Sequence, residues 1–64
     1  MVKVNGENFN IAGKTLAEYL ADEDYDLRRI VVECNEKIVS QAEYGGIVLR
    51  DCDCVEVVSF VGGG

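Results

Sequence analysis

The stretch Val2-Lys3-Val4-Asn5-Gly6-Glu7-Asn8-Phe9 constrains the fold more than any other. Asn-Gly is the favoured dipeptide for a two-residue hairpin turn in which both residues take positive φ. Val2 and Val4 before it, and Phe9 and Ile11 after it, alternate with polar residues, so one face of the hairpin is apolar. An isolated two-stranded hairpin is at best marginally stable in water. The rest of the chain has to supply further strands and a second layer to cover that face.

Ala12-Gly13-Lys14 breaks the alternation. Thr15-Leu16-Ala17-Glu18 then reads as a helix start. The Thr15 hydroxyl can accept from the backbone N–H three residues on, and Glu18 can reach back to the Thr15 N–H, closing a capping box. Leu16, Tyr19 and Leu20 fall on one helical face. Asp22, Glu23, Asp24 and Asp26 follow, and acids at a helix C-terminus oppose the macrodipole, so the helix is expected to end there. The Asp-Glu-Asp-Tyr-Asp run is read as a solvated face.

Ile30 to Cys34 is the next strand. Asn35-Glu36 is a turn, and Lys37-Ile38-Val39 returns as a short strand. Ser40 to Gly46 is a loop or one helical turn, stopped by Gly45-Gly46. Asp51 to Asp53 is a turn, and the last strand, Val55 to Val61, is rich in β-branched residues. Phe9, Tyr19 and Tyr44 are expected in the core. A helix between two runs of strand, packed across a mixed sheet, is a two-layer α+β domain. The helical connection also lets the last strand lie beside the first.

Composition bounds the function. Sixty-four residues make one small domain. Apolar residues are 48% and charged residues 28%, as in an ordinary globule. No apolar run approaches the ~20 residues of a membrane span and no signal peptide is legible, so the expected location is the cytoplasm. Twelve acids against six bases give a net charge of −6. That disfavours nucleic acid and anionic membrane and suits a partner with a basic surface. Histidine is absent, which removes Ser-His and Cys-His catalytic pairs. The chain is not expected to be an enzyme.

The three cysteines, Cys34, Cys52 and Cys54, are too few and too poorly spaced for a structural zinc site or a disulfide framework. They are expected as small buried hydrophobes, Cys34 above all, with Cys52 exposed if it sits in the turn.

The chain ends in Ser59-Phe60-Val61-Gly62-Gly63-Gly64. Three glycines add nothing to a core and order least willingly. They are either a frayed end or a flexible C-terminus that is itself the functional part, one that spans at most roughly 10 Å and costs about 1–2 kcal/mol per residue to order. In the last strand Val55, Val57, Ser59 and Val61 share one face, and Glu56, Val58 and Phe60 the other. Valines on both faces leave both orientations open. An outward Glu56 would put Val58 and Phe60 outside as well, as a docking patch beside the tail.

Together the strand–helix–strand order, Asn5-Gly6-Glu7, Val32 to Val39 and Val55 to Gly64 resemble the ThiS family, small sulfur carriers of thiamine biosynthesis with the ubiquitin-like β-grasp fold. The resemblance covers nearly the whole chain. It implies a β-grasp body over residues 1–61, with one main helix packed on one face of a mixed sheet, and a flexible tail over 62–64. It implies that an E1-like, ThiF-type adenylyltransferase uses ATP to activate the Gly64 carboxylate. A persulfide donor such as a cysteine desulfurase then makes it a thiocarboxylate, and a ThiG-type thiazole synthase takes the sulfur. Gly62 and Gly63 would thread the partner active sites, and Val58, Phe60 and Val61 would dock. The carrier would need no cofactor or metal of its own. Two positions depart from the usual pattern: Cys52-Asp53 stands where a Gly-Asp turn is common, and Ser40-Gln41 where Pro-Arg is. A carrier for molybdopterin or tRNA thiolation, a ubiquitin-like modifier joined to lysines, and a metal-binding interaction module built on the cysteines are the alternative readings.

Overall fold

The computed structural model describes residues 1–60. Val61, Gly62, Gly63 and Gly64, and with them the expected boundary between body and tail, lie outside the described residues.

The Asn5-Gly6 turn forms as its chemistry dictates. Asn5 and Gly6 take φ of 50° and 85°, and the primed turn joins β1 (Val2–Val4) to β2 (Glu7–Phe9) in the register Val2↔Phe9, Lys3↔Asn8, Val4↔Glu7. The second hairpin repeats the device. β3 (Ile30–Cys34) and β4 (Lys37–Val39) flank Asn35 and Glu36, at φ of 51° and 70°.

Between the hairpins α1 (Leu16–Asp22) starts on the expected capping box. The Glu18 N–H donates to the Thr15 hydroxyl at 3.1 Å, and the Thr15 N–H donates to Glu18 Oε1 at 2.8 Å. Leu16, Tyr19 and Leu20 are buried against the sheet. Beyond α1, Asp26 caps a 3₁₀ helix (Leu27–Arg29) that the sequence reading did not anticipate; its Oδ1 accepts from the Arg28 N–H. A second 3₁₀ helix (Gln41–Gly46) fills the Ser40 to Gly46 segment on its own capping box, Ser40 with Glu43.

β5 (Cys54–Ser59) starts one residue earlier than expected, and its expected last residue, Val61, is outside the described residues. It inserts at the centre of one five-stranded sheet ordered β2-β1-β5-β3-β4. It runs parallel to β1 (Lys3↔Cys54, Val4↔Val55) and antiparallel to β3 from Cys34↔Val55 to Ile30↔Ser59. A parallel neighbour needs a long crossover, and the segment carrying α1 belongs to it. The core is Val2, Val4, Leu16, Tyr19, Leu20, Ile30, Val32, Tyr44, Leu49, Val55 and Val57. Phe9 packs against this core only partly buried. Leu49 reaches it from outside any strand, because its N–H donates to the Lys14 carbonyl and its carbonyl accepts from Gly13.

Candidate functional site

β5 leads to the C-terminal segment, so its two faces decide what a partner meets there. Val55 and Val57 point inward and are buried. Period-two alternation then turns Cys54, Glu56 and Val58 outward. Val58 is 55% and Phe60 56% exposed. The face holding Glu56, Val58 and Phe60 is therefore the outer one.

The strand register adds neighbours to this patch. Val31 lies opposite Val58 on β3, Glu33 opposite Glu56, and Ile38 of β4 opposite Glu33. Ile38 is 73% exposed. The outer face thus carries apolar side chains around two carboxylates placed directly across from each other, a like-charge pairing that costs stability in an isolated sheet.

Phe60 is the last anchored position described. Its N–H donates to the Arg29 carbonyl at 2.7 Å. Arg29 in turn is fixed by the Asp26 cap: its N–H donates to the Asp26 carbonyl, and both Arg28 Nε and Arg29 Nε lie 3.5 Å from the Asp26 carboxylate. The Arg28 N–H bond, with the arginine charges, holds the Asp26 carboxyl below its usual range. The two guanidiniums stay exposed while paired with Asp26, and the middle of the outer face carries Glu33 and Glu56.

The opposite edge of β5 is completed by a residue that turn chemistry alone does not reveal. The Asn5 side chain accepts from the Val57 N–H at 2.9 Å and donates to the Val57 carbonyl at 3.3 Å. Its own N–H donates to the Val55 carbonyl. Asn5 thereby continues the β1–β5 ladder one rung past the end of β1.

Of the anticipated site residues, Val58 on the outer face of β5 and Phe60 one residue beyond the strand are both exposed. The other anticipated site residues, Val61, Gly62, Gly63 and Gly64, lie outside the described residues. Of the cysteines, Cys54 departs from the expected burial, because it shares the outward parity of Glu56, while Cys52 is exposed in its turn as expected, at φ 74°. Only Cys34 is partly covered, and burial pushes its thiol above the usual range. Among the described residues no three His, Cys, Asp or Glu side chains converge to hold a metal ion, and no helix is long and apolar enough to cross a membrane.

Comparison with known proteins places this geometry. Residues 2–64 match the ThiS family. The chain is 41% identical over 64 residues to the sulfur carrier protein ThiS of Thermus thermophilus, covering the whole of both chains. It is also 41% identical over 64 residues to a thiazole synthase of Magnetococcus marinus, covering 98% of this chain and 20% of that protein. It spans about a fifth of the length of the thiazole synthases it matches. Among solved structures, the thiamine biosynthesis protein ThiS of Geobacter metallireducens superposes with a TM-score of 0.75 at 25% identity, over 98% of this chain and 97% of that one. The mixed five-stranded sheet with one main helix is the β-grasp arrangement.

Proposed function

The chain belongs to the ThiS family, and we propose that it is a sulfur carrier of thiamine biosynthesis in which the carboxylate of Gly64 is the group that carries the sulfur. Residues 1–61 are then the folded body and 62–64 the tail it presents. The observation that supports this is the outward register of β5, which leaves two apolar residues, Val58 and Phe60, exposed with Val61 alone between Phe60 and the glycines.

An ionised carboxylate is a poor electrophile, and at neutral pH the α-carboxyl is ionised, its ordinary pKa being about 3.5. A partner of the adenylyltransferase type supplies ATP. The carboxylate attacks the α-phosphorus and pyrophosphate leaves, giving an acyl adenylate with a good leaving group. A persulfide displaces AMP and forms an acyl disulfide. A thiol then cleaves that bond, taking one sulfur into a new disulfide and leaving the thiocarboxylate. Thiazole synthase accepts the sulfur, a role in keeping with relatives that are themselves named thiazole synthase. The carrier contributes position, not catalysis. Without Cβ atoms Gly62 to Gly64 adopt the φ/ψ a narrow channel imposes. The body offsets their ordering cost by docking through Val58, Phe60 and Val61.

The test is intact mass after incubation with the matching activating enzyme, ATP and a persulfide source. Replacement of one oxygen by one sulfur is expected, and deletion of Gly64 abolishes it. No change, with the activating enzyme competent on its own carrier, would overturn the assignment.

A further inference from the structure

Cys52 and Cys54 have no task in a carrier whose sulfur rides on a carboxylate, yet the fold leaves both in the open. Both line one cleft of about 390 Å³ together with Met1, Lys3, Asn8 and Asp53. The carboxylate of the residue between them is engaged: Asp53 accepts from the Arg50 N–H at 2.9 Å and from Asn35 Nδ2 at 3.1 Å. The backbone of the turn is pinned from both sides. The Cys52 N–H donates to the Met1 carbonyl, the Lys3 N–H to the Asp53 carbonyl, and the Cys54 N–H to Asn35 Oδ1. The main chain is fixed and the two thiols are left accessible.

Cys52 adds an independent observation. It holds φ 74°, a left-handed conformation that glycine adopts freely and a residue with a Cβ resists. Its side chain is exposed, so no burial offsets that strain. Strain at an exposed side chain outside a hairpin turn raises the question of what that side chain does.

We propose that Cys52 and Cys54 are a redox-active dithiol, which a small anionic disulfide such as oxidised glutathione converts to an intramolecular bridge. Lys3, the register partner of Cys54, gives the cleft a cation for the incoming carboxylates. One thiolate attacks a sulfur of the small disulfide and expels one glutathione thiolate, leaving a mixed disulfide on the protein. The second thiol, giving its proton to solvent, attacks the protein sulfur of that bond and expels the second glutathione. The protein loses two hydrogens, and one oxidised glutathione becomes two reduced ones. A bridge across a single intervening residue, exposed to solvent, is of the readily reduced kind, so the change is reversible. The pair sits at the start of β5, six residues before Phe60 and roughly 20 Å from it at strand rise. Oxidation therefore leaves the chemistry proposed for Gly64 untouched.

The experiment treats the full chain with oxidised glutathione, blocks remaining thiols with an alkylating reagent under denaturing conditions, and reads intact mass and the modified peptides. The expected product has lost two hydrogens and takes up alkylating reagent at Cys34 alone, and excess reduced glutathione restores three alkylatable thiols. Cys52→Ser and Cys54→Ser each stop at a mixed disulfide, as does Cys52→Gly, which relieves the strained turn and so keeps the fold. Cys34→Ser still forms the bridge. A parent chain that stops at mixed disulfides, links Cys34, couples two chains, or keeps all three thiols overturns the proposal. Loss of thiocarboxylate formation in the oxidised chain would refute the separation of the two ends of β5 without bearing on the bridge itself.

Discussion

Truncating Phe60 tests whether the outer face docks a partner. A phenylalanine side chain covers on the order of 200 Å². With Phe60 56% exposed, roughly 110 Å² of apolar surface is left for a partner, worth about 2–3 kcal/mol at ~25 cal/mol per Å². Part of that is consumed by ordering and imperfect fit. At about 1.4 kcal/mol per tenfold change, Phe60→Ala should weaken docking by about ten- to a hundredfold. The assay is pyrophosphate exchange by the activating enzyme as a function of carrier concentration. Half-saturation should move up by that factor, while the rate at saturation stays near the parent's because Gly64 is unchanged. Denaturant unfolding of the variant should shift by no more than about 0.5 kcal/mol, as for an exposed position. An unchanged half-saturation would refute the patch as a docking surface. A stability loss of several kcal/mol would refute the reading of Phe60 as free.

Three further outcomes are expected. Asn5→Ala should cost about 2–3 kcal/mol, because it strands the Val57 N–H and carbonyl and places a Cβ-only residue at φ 50°; Asn5→Gly, which keeps the turn but loses the same two bonds, should recover about 1 kcal/mol of it, and equal losses in urea denaturation would refute the ladder role. Cys52→Gly should raise the unfolding midpoint by a few degrees, about 0.5–1 kcal/mol once the extra unfolded-state freedom of glycine is set against the relieved φ of 74°, and a lowered midpoint in a thermal scan would contradict the strain. Glu18, Glu43 and Asp26 are held below their usual range by the N–H groups of Thr15, Ser40 and Arg28. Their contribution is therefore complete above the unfolded carboxyl values near about 4 and is lost as pH falls through the lower folded ones. Urea midpoints should fall on acidification through that window and fall less steeply in Glu18→Gln/Glu43→Gln/Asp26→Asn, whereas parallel profiles would show that the three caps do not carry the dependence.

What could be read in advance was what is local. The turn at Asn5-Gly6 and the capping box at Thr15–Glu18 are written within four residues, and both form. Ile30–Cys34 and Lys37–Val39 have the expected bounds because a two-residue turn between them leaves one register. The face of β5 could not be read, since Val55 and Val57 compete with Val58 and Phe60 as core candidates. It is decided by which side of the sheet α1 covers, a tertiary fact. Asn5 bonding Val57 spans 52 positions in sequence, and no local pattern signals it. The exposure of Cys54 follows from the same parity and was missed for the same reason: cysteine was assigned by residue type, whereas the strand assigns it by its alternation with Val55.

The position of β5 has a consequence for the proposed tail chemistry. A partner that draws the C-terminal segment into its active site pulls along this strand. An edge strand would resist with one ladder of hydrogen bonds. β5 is central, bonded to β3 along its length and to β1 and the Asn5 side chain on the other side. Its far end is clamped by the turn at Asp51–Asp53, and its near end by the Phe60 N–H on the Arg29 carbonyl. Peeling it requires breaking both ladders and exposing Val55 and Val57, which are buried. A body anchored in this way keeps β5 in place as far as Phe60 under such a pull. The tail proposed to enter partner active sites, Gly62 to Gly64, depends on that support from the strand before it, because glycines bring no side chain to hinder entry and none to pack against a pull.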